Sequence, residues 1–161
     1  MLILGVDPSL RGTGWGVISA EGSCLGGVAW GVLRNPPSRS VSECLVEIHR
    51  GLAEVIAFHR PQTAAIEALF YAQNARTALV MGQARGAALV AVGEAGLEVV
   101  EYAPKRVKQG VVGVGGAAKG QVGFMVRALL GLVETPPTDA ADALAVAITH
   151  AHAARGRGRR A

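Results

Sequence analysis

Aromatic residues make up only 4% of this 161-residue chain, and aspartate occurs at just three positions, Asp7, Asp139 and Asp142. Cysteine occurs twice, as Cys24 and Cys44, in no spacing that suits a thiolate metal site or a redox pair, so both are expected to be reduced structural residues. Charged residues are sparse at 17%, yet no stretch of eighteen residues lacks one, and the apolar opening Met1–Val6 is cut short by Asp7. Neither a membrane span nor a signal peptide is therefore expected, and the chain reads as a cytoplasmic protein without a membrane partner. Half of the residues are hydrophobic and the mean hydropathy is +0.34, which excludes a disordered chain. A chain of this length buries roughly two-thirds of its unfolded surface without disulfides or a structural metal. The organisation expected is one folded domain over residues 1–154 and a basic, disordered tail over 155–161.

The formal net charge is +4 and the pI near 9.6, but the charge is unevenly placed. Residues 76–127 carry seven basic and three acidic groups, residues 128–154 carry three acidic and no basic ones, and the tail Arg155-Gly-Arg-Gly-Arg-Arg160 carries four basic ones. The tail suits either a solubilising terminus or a weak phosphate clamp.

The apolar pattern outlines the fold. Leu2–Val6 is a continuous run suited to a buried strand; Thr13–Ser19 and Leu25–Leu33 follow after short turns, which implies an antiparallel meander. Helical spacing of Val41, Leu45, Ile48, Leu52, Val55 and Ile56 predicts a helix over Ser40–His59, ended by Pro61. Thr63–Ala68 is a strand, Asn74–Ala95 a helix and Leu97–Tyr102 a fifth strand. Pro104 opens a short helix, Lys119–Leu130 is helical, and a last helix runs from Asp139 to about Ala154 with Thr138 as its N-cap. A helix between strands makes the next strand parallel. The fold class expected is α/β, a single domain with a mixed five-stranded sheet flanked by helices, the architecture of ribonuclease-H-like nucleases.

Within that frame the acids are oddly placed. Asp7 closes an apolar strand and Glu67 interrupts another, while Asp139 and Asp142 lie three apart and share one face of the last helix. If the first and fourth strands are neighbours, all four converge. Packed carboxylates repel, so four together need cations to stay ionised. All-oxygen donors suit Mg²⁺ or Mn²⁺ rather than zinc, and a pair of such ions is the arrangement that hydrolyses phosphodiesters. Plainer readings stand beside this one: Asp7 before Pro8 suits a turn, and Asp139 and Asp142 suit the positive end of a helix dipole. Glu67 has the weakest plain explanation.

Seven segments then carry a specific likeness: Leu4-Gly-Val-Asp-Pro8 with Gly12-Thr-Gly14, Ala65-Ile-Glu67, Phe70-Tyr-Ala-Gln-Asn74, Gly82-Gln-Ala-Arg-Gly86, Val107-Lys-Gln-Gly-Val-Val-Gly113, Lys119-Gly-Gln-Val-Gly-Phe-Met-Val126 and Asp139-Ala-Ala-Asp-Ala-Leu144. Taken in order from Leu2 to about His152, the chain resembles the RuvC family of bacterial Holliday-junction resolvases. The resemblance implies a homodimeric endonuclease that nicks two opposing strands of four-way junction DNA symmetrically, in recombination and repair, with two Mg²⁺ per subunit or Mn²⁺ in their place. It implies Asp7, Glu67, Asp139 and Asp142 as catalytic metal ligands, Lys108 and Lys119 as DNA contacts near the cut, and Phe70 as an aromatic that stacks on bases near the crossover. It also suggests RuvA and RuvB branch-migration proteins as partners. Ser9 stands where the family often has glycine, and Gly110, Gly120 and Gly123 loosen the basic motifs.

Around these positions several alternatives stay open. Tyr71 suits either DNA or the core, and Arg76, Arg85, Lys105 and Arg106 suit either phosphate contacts or a solvated surface. Gln83 and Arg85 lie on the Asn74–Ala95 helix, the candidate dimer interface, and suit either the subunit contact or DNA. Gly113-Val-Gly-Gly-Ala-Ala-Lys119-Gly120 lacks the Gly before Lys and the Ser/Thr after it that a phosphate-binding P-loop requires. His150 and His152 are two apart on a helix and suit no shared metal. The alternative functions are a nuclease of the same fold acting on structured RNA and a catalytically silent junction-binding module.

Overall fold

Leucine, isoleucine and valine, interrupted once by Gly5, build the first strand, β1 (Leu2–Asp7), which lies at the centre of the sheet in a computed structural model that describes residues 1–69 and 72–158. β2 (Gly12–Glu21) returns antiparallel to it with Asp7 opposite Gly14, and β3 (Cys24–Arg34) pairs antiparallel with β2 and forms one edge. Helix α1 (Val41–His59) then crosses over, so that β4 (Thr63–Glu67) lies parallel to the other side of β1. After α2 (Ala75–Glu94), β5 (Val99–Tyr102) extends the sheet parallel to β4. The order β3-β2-β1-β4-β5 is the expected mixed sheet, with β1 and β4 adjacent. Three more helices follow among the described residues: α3 (Pro104–Val112), α4 (Lys119–Leu130) and α5 (Thr138–Gly158).

Strand alternation divides the core into two layers. Leu4, Val6, Val17, Ala64 and Ile66 point to α1 and α2, where they meet Cys44, Ile48, Leu52, Ala84 and Ala88. Ile3, Ile18 and Ala65 point the other way, against Leu144, Ala147 and Ile148 of α5 and Val107 and Val126 of α3 and α4. By the same parity Asp7 and Glu67, four and two residues on from Ile3 and Ala65, belong to the α5 side.

Local signals explain the helix ends. Ser40 caps α1 through a reciprocal box, its Oγ accepting from Glu43 N–H while the Glu43 carboxylate accepts from Ser40 N–H. These hydrogen bonds from Ser40 hold the Glu43 carboxyl below its ordinary value. Asn74 caps α2 by accepting from Thr77 N–H at 2.9 Å.

Helix ends differ from expectation: Ser40, Asn74 and Ala95 cap α1 and α2 from outside rather than lying within them, and α5 differs at both ends. Thr138 is the first helical residue of α5 rather than its N-cap, because the first turn closes from Ala141 N–H onto the Pro137 carbonyl at 2.8 Å. At the other end α5 runs past Ala154 to Gly158, so the basic segment begins as helix rather than as a loose tail. Near this end Arg155 Nη2 donates to the Cys24 carbonyl at 3.3 Å. Residues 159–161 lie outside the described residues. No helix among the described residues is long and apolar enough to cross a membrane.

Candidate active site

Glycine decides how near the acids come to one another. A Cβ on Gly14 would lie 1.9 Å from the Asp139 carbonyl oxygen, and one on Gly5 would lie 2.0 Å from the Ala143 carbonyl oxygen. Only bare backbone at these two positions lets α5 rest directly on β1 and β2. The helix start is thereby held over the end of β1, where Asp7 emerges, and Asp139 Oδ2 comes to 3.0 Å from the Cβ position of Gly12. Behind Asp7 the turn is clasped by buried Thr13, whose Oγ1 donates to the Ser9 carbonyl at 2.7 Å and accepts from Ser9 N–H at 3.2 Å.

Glu67 ends β4 beside Asp7, and the two carboxyls share a hydrogen bond. Asp7 is pushed up from 3.8 to about 8, first by its burial, then by the Glu67 and Asp142 charges, the hydrogen bond with Glu67, and the Asp139 charge. All three other acids therefore act on Asp7, and the four expected residues form one electrostatic cluster. Among the described residues no three carboxylates, imidazoles or thiolates already stand in a coordination geometry. The donor set itself is oxygen only, crowded and anionic, which fits a hard divalent cation and does not fit zinc. The four histidines are engaged elsewhere: His150 is hydrogen-bonded to Tyr102 Oη at 2.9 Å and Thr63 Oγ1 at 3.3 Å, His152 Nδ1 to the Gly110 carbonyl at 3.0 Å, and His49 to Glu94 at 2.7 Å, while the His59 ring lies against those of Trp15 and Phe58.

A narrow cleft of about 40 Å³ is lined by Asp7, Pro8, Glu67, Met81 and Arg85. Arg85 is mostly buried; it donates from Nη1 to the Glu67 backbone carbonyl at 2.7 Å and pairs with Glu101 through Nη2. Beside the settings expected for Arg85, a DNA phosphate, a solvated surface or the subunit contact, the structure shows another, in which its guanidinium holds the end of β4. The signal was its place in Gly82-Gln-Ala-Arg-Gly86, but spacing alone does not reveal which backbone it meets.

The basic residues separate into groups. Lys105 and Arg106 are exposed at the start of α3 and line a second cleft of about 600 Å³ that also includes Glu67. Lys108, on the same helix, is half-buried and belongs to neither cleft, and Arg76 is exposed in the first turn of α2. Lys119 is the first residue of α4. Phe70 and Tyr71 lie outside the described residues.

The family model described as crossover junction endodeoxyribonuclease RuvC matches residues 3–150. The chain belongs to the RuvC family. It is 54% identical over 150 residues to the RuvC of Halorhodospira halophila and 51% identical over 150 residues to that of Azorhizobium caulinodans, each match covering 93% of this chain and 89% of the relative. Among solved structures, RuvC of Thermus thermophilus in complex with a Holliday junction substrate superposes with a TM-score of 0.91 at 39% identity, covering 98% of this chain and 96% of that one. Another structure of the same Thermus protein gives a TM-score of 0.88 at 40% identity. The yeast mitochondrial resolvase Ydc2, at 15% identity and a TM-score of 0.70, shares the fold. RuvC membership and the ribonuclease-H-like α/β architecture expected from the sequence are both borne out.

Proposed function

We propose that this RuvC-family chain is a divalent-metal-dependent endonuclease that resolves Holliday junctions in DNA recombination and repair by symmetric nicking of two opposing strands. The observation that carries the reading is the gathering of Asp7, Glu67, Asp139 and Asp142 into one cluster in a chain with the fold of a RuvC seen with its junction substrate.

Nucleases of this family depend on metal, and the oxygen-only cluster suits two Mg²⁺, or Mn²⁺, held by those four carboxylates. When bound, such ions supply a hydroxide-like nucleophile and charge stabilisation for the leaving oxygen. The chain's own residues prepare that chemistry. Burial and the neighbouring acids raise the proton affinity of the Asp7 carboxyl, which shares a hydrogen bond with Glu67, and cationic charge in the cluster would favour its ionised form. Arg85 fixes the carbonyl of Glu67 and so orients the strand end that carries its carboxylate. Lys105 and Arg106, which share a cleft with Glu67, neutralise DNA phosphates near the cut, with Arg76, Lys108 and Lys119 as further phosphate contacts. Phe70 and Tyr71 follow the Glu67 strand in sequence and serve as the wedge at the crossover.

A junction has approximate two-fold symmetry, and a C2 homodimer places two identical clusters on related strands. The exposed face of α2, with Leu79, Gly82, Gly86 and Val90, suits the subunit contact: Leu79 and Val90 are 65% and 52% exposed, and the two glycines have open space above them. The protein works on cytoplasmic DNA alongside RuvA and RuvB branch-migration proteins.

The test is cleavage of a synthetic four-way junction across a series of divalent metals, with Asp7→Asn and with a matched structured RNA. Paired, symmetric nicks in DNA that vanish in the variant are the expected result. Preferential cutting of the RNA, or normal cutting by the variant, would refute the assignment.

A further inference from the structure

Beside the carboxylates, rather than among them, lies the cleft of about 600 Å³ at the junction of β4, α2 and α3. Its wall is mostly apolar, built from Leu69, Met81, Ala103 and Pro104. Lys105 and Arg106 stand exposed on its rim, and Gln109 is the one uncharged polar side chain among the described lining residues. Glu67 lines both this cleft and the narrow one that contains Asp7.

That combination limits what can enter. An apolar wall offers nothing to a lone phosphate or a hydrated cation, and the volume is that of a site for a small organic ligand. Two cations on the rim call for anionic groups attached to that ligand. A single amide, able to donate and to accept, suits a planar group with a polar edge. An unstacked nucleobase with phosphates on either side meets all three conditions, because its faces are apolar, its edge is polar and its backbone is anionic.

Resting on the nuclease reading above, we infer that this cleft receives one unstacked base of the strand being cut, next to the phosphate that the carboxylate cluster would engage once it holds its cations. Met81 and Pro104 pack on the face of the base, Gln109 meets its edge, and Lys105 and Arg106 take the neighbouring phosphates. The cleft thus makes cutting sensitive to the identity of one nucleotide near the scissile bond, a task separate from metal binding.

The experiment uses the full chain, Mg²⁺ and a set of four-way junctions in which a single abasic nucleotide is moved stepwise along the cleaved strand. One position close to the cut should slow cleavage by about ten- to a hundredfold, the range for loss of one stacked base. Met81→Ala should cut intact junctions more slowly and lose most of that positional sensitivity, which separates this cleft from stacking elsewhere at the crossover. Gln109→Ala should keep cutting but flatten the preference among the four bases at that position. Equal rates along the abasic series, or an unchanged positional effect in Met81→Ala, would overturn the inference while leaving the nuclease reading intact. So would a flat abasic series combined with Met81→Lys changing the oligomeric state, which would give the cleft to an interface between copies of the chain. Failure of the wild-type chain to cut an intact junction with any divalent metal would remove both readings.

Discussion

The Nη1 atom of Arg85, on α2, donates a hydrogen bond of 2.7 Å to the backbone carbonyl of Glu67, at the end of β4. An arginine from the basic middle of the chain is thus tied to an acid of the candidate site through its main chain rather than through its carboxylate. The same guanidinium pairs with Glu101 on β5 and joins two strand ends and a helix.

Arg85→Ala should therefore lower kcat for junction cleavage by roughly ten- to a hundredfold, the cost of misplacing a reacting group by about an ångström. Junction affinity should change little, since the side chain is mostly buried. Arg85→Lys should recover part of the rate, because a lysine keeps the charge but lacks the fork that meets two acceptors at once. A fall in affinity with kcat unchanged would place Arg85 on the DNA instead.

Asp7→Asn should reduce cleavage at least about a hundredfold, the scale seen when one organised electrostatic group is removed. Binding of the uncut junction, read by gel shift, should persist.

The same residue predicts a pH dependence of stability in EDTA. Asp7 binds its proton more tightly when folded, at about 8, than at its ordinary 3.8. Its contribution is fully present below about pH 4 and is lost as the pH rises through about 8. The midpoint of thermal unfolding should therefore fall between pH 5 and pH 9 more steeply for the wild type than for Asp7→Asn, by roughly 2–4 °C for each kcal/mol involved. Adding Mg²⁺ at pH 8 should restore the wild type and not the variant. Parallel melting curves for the two proteins would contradict this account of the cluster.

Gly14→Ala should destabilise the protein by at least about 1–3 kcal/mol, because the new methyl would lie 1.9 Å from the Asp139 carbonyl oxygen and α5 must lift to admit it. Circular dichroism melts measure the loss. Gly93→Ala, in α2 with open space at its Cβ position, is the control and should not lower the melting midpoint, since alanine favours a helix over glycine.

Salt dependence tests the basic groups. Replacing both Lys105 and Arg106 with alanine should flatten the slope of log affinity against log salt by about 0.9 for each phosphate that is no longer neutralised. An unchanged slope would make both of them solvated surface charges.

Much of this was legible in the sequence because the signals were local. The order of strands and helices, the stop before Pro61 and the place of Asp7 and Glu67 at the ends of apolar runs all follow from neighbours a few residues away. The helix boundaries missed, at Ser40, Asn74, Ala95 and Thr138 and beyond Ala154, are ends, where a single hydrogen bond decides the residue. The three aspartates stood out by their scarcity, and their placement opposite apolar runs already suggested a shared site.

What the sequence determined by itself was the set of acids, the α/β order and the family likeness. Only the tertiary structure decided that Gly5 and Gly14 bring α5 down onto the sheet, that Arg85 holds Glu67, and that Leu69, Met81 and Pro104 form one wall beside the carboxylates. The physical reason is that each of these joins residues far apart along the chain. Periodicity reports which face a side chain takes, but not which distant backbone or side chain the packing of sheet and helices brings against it.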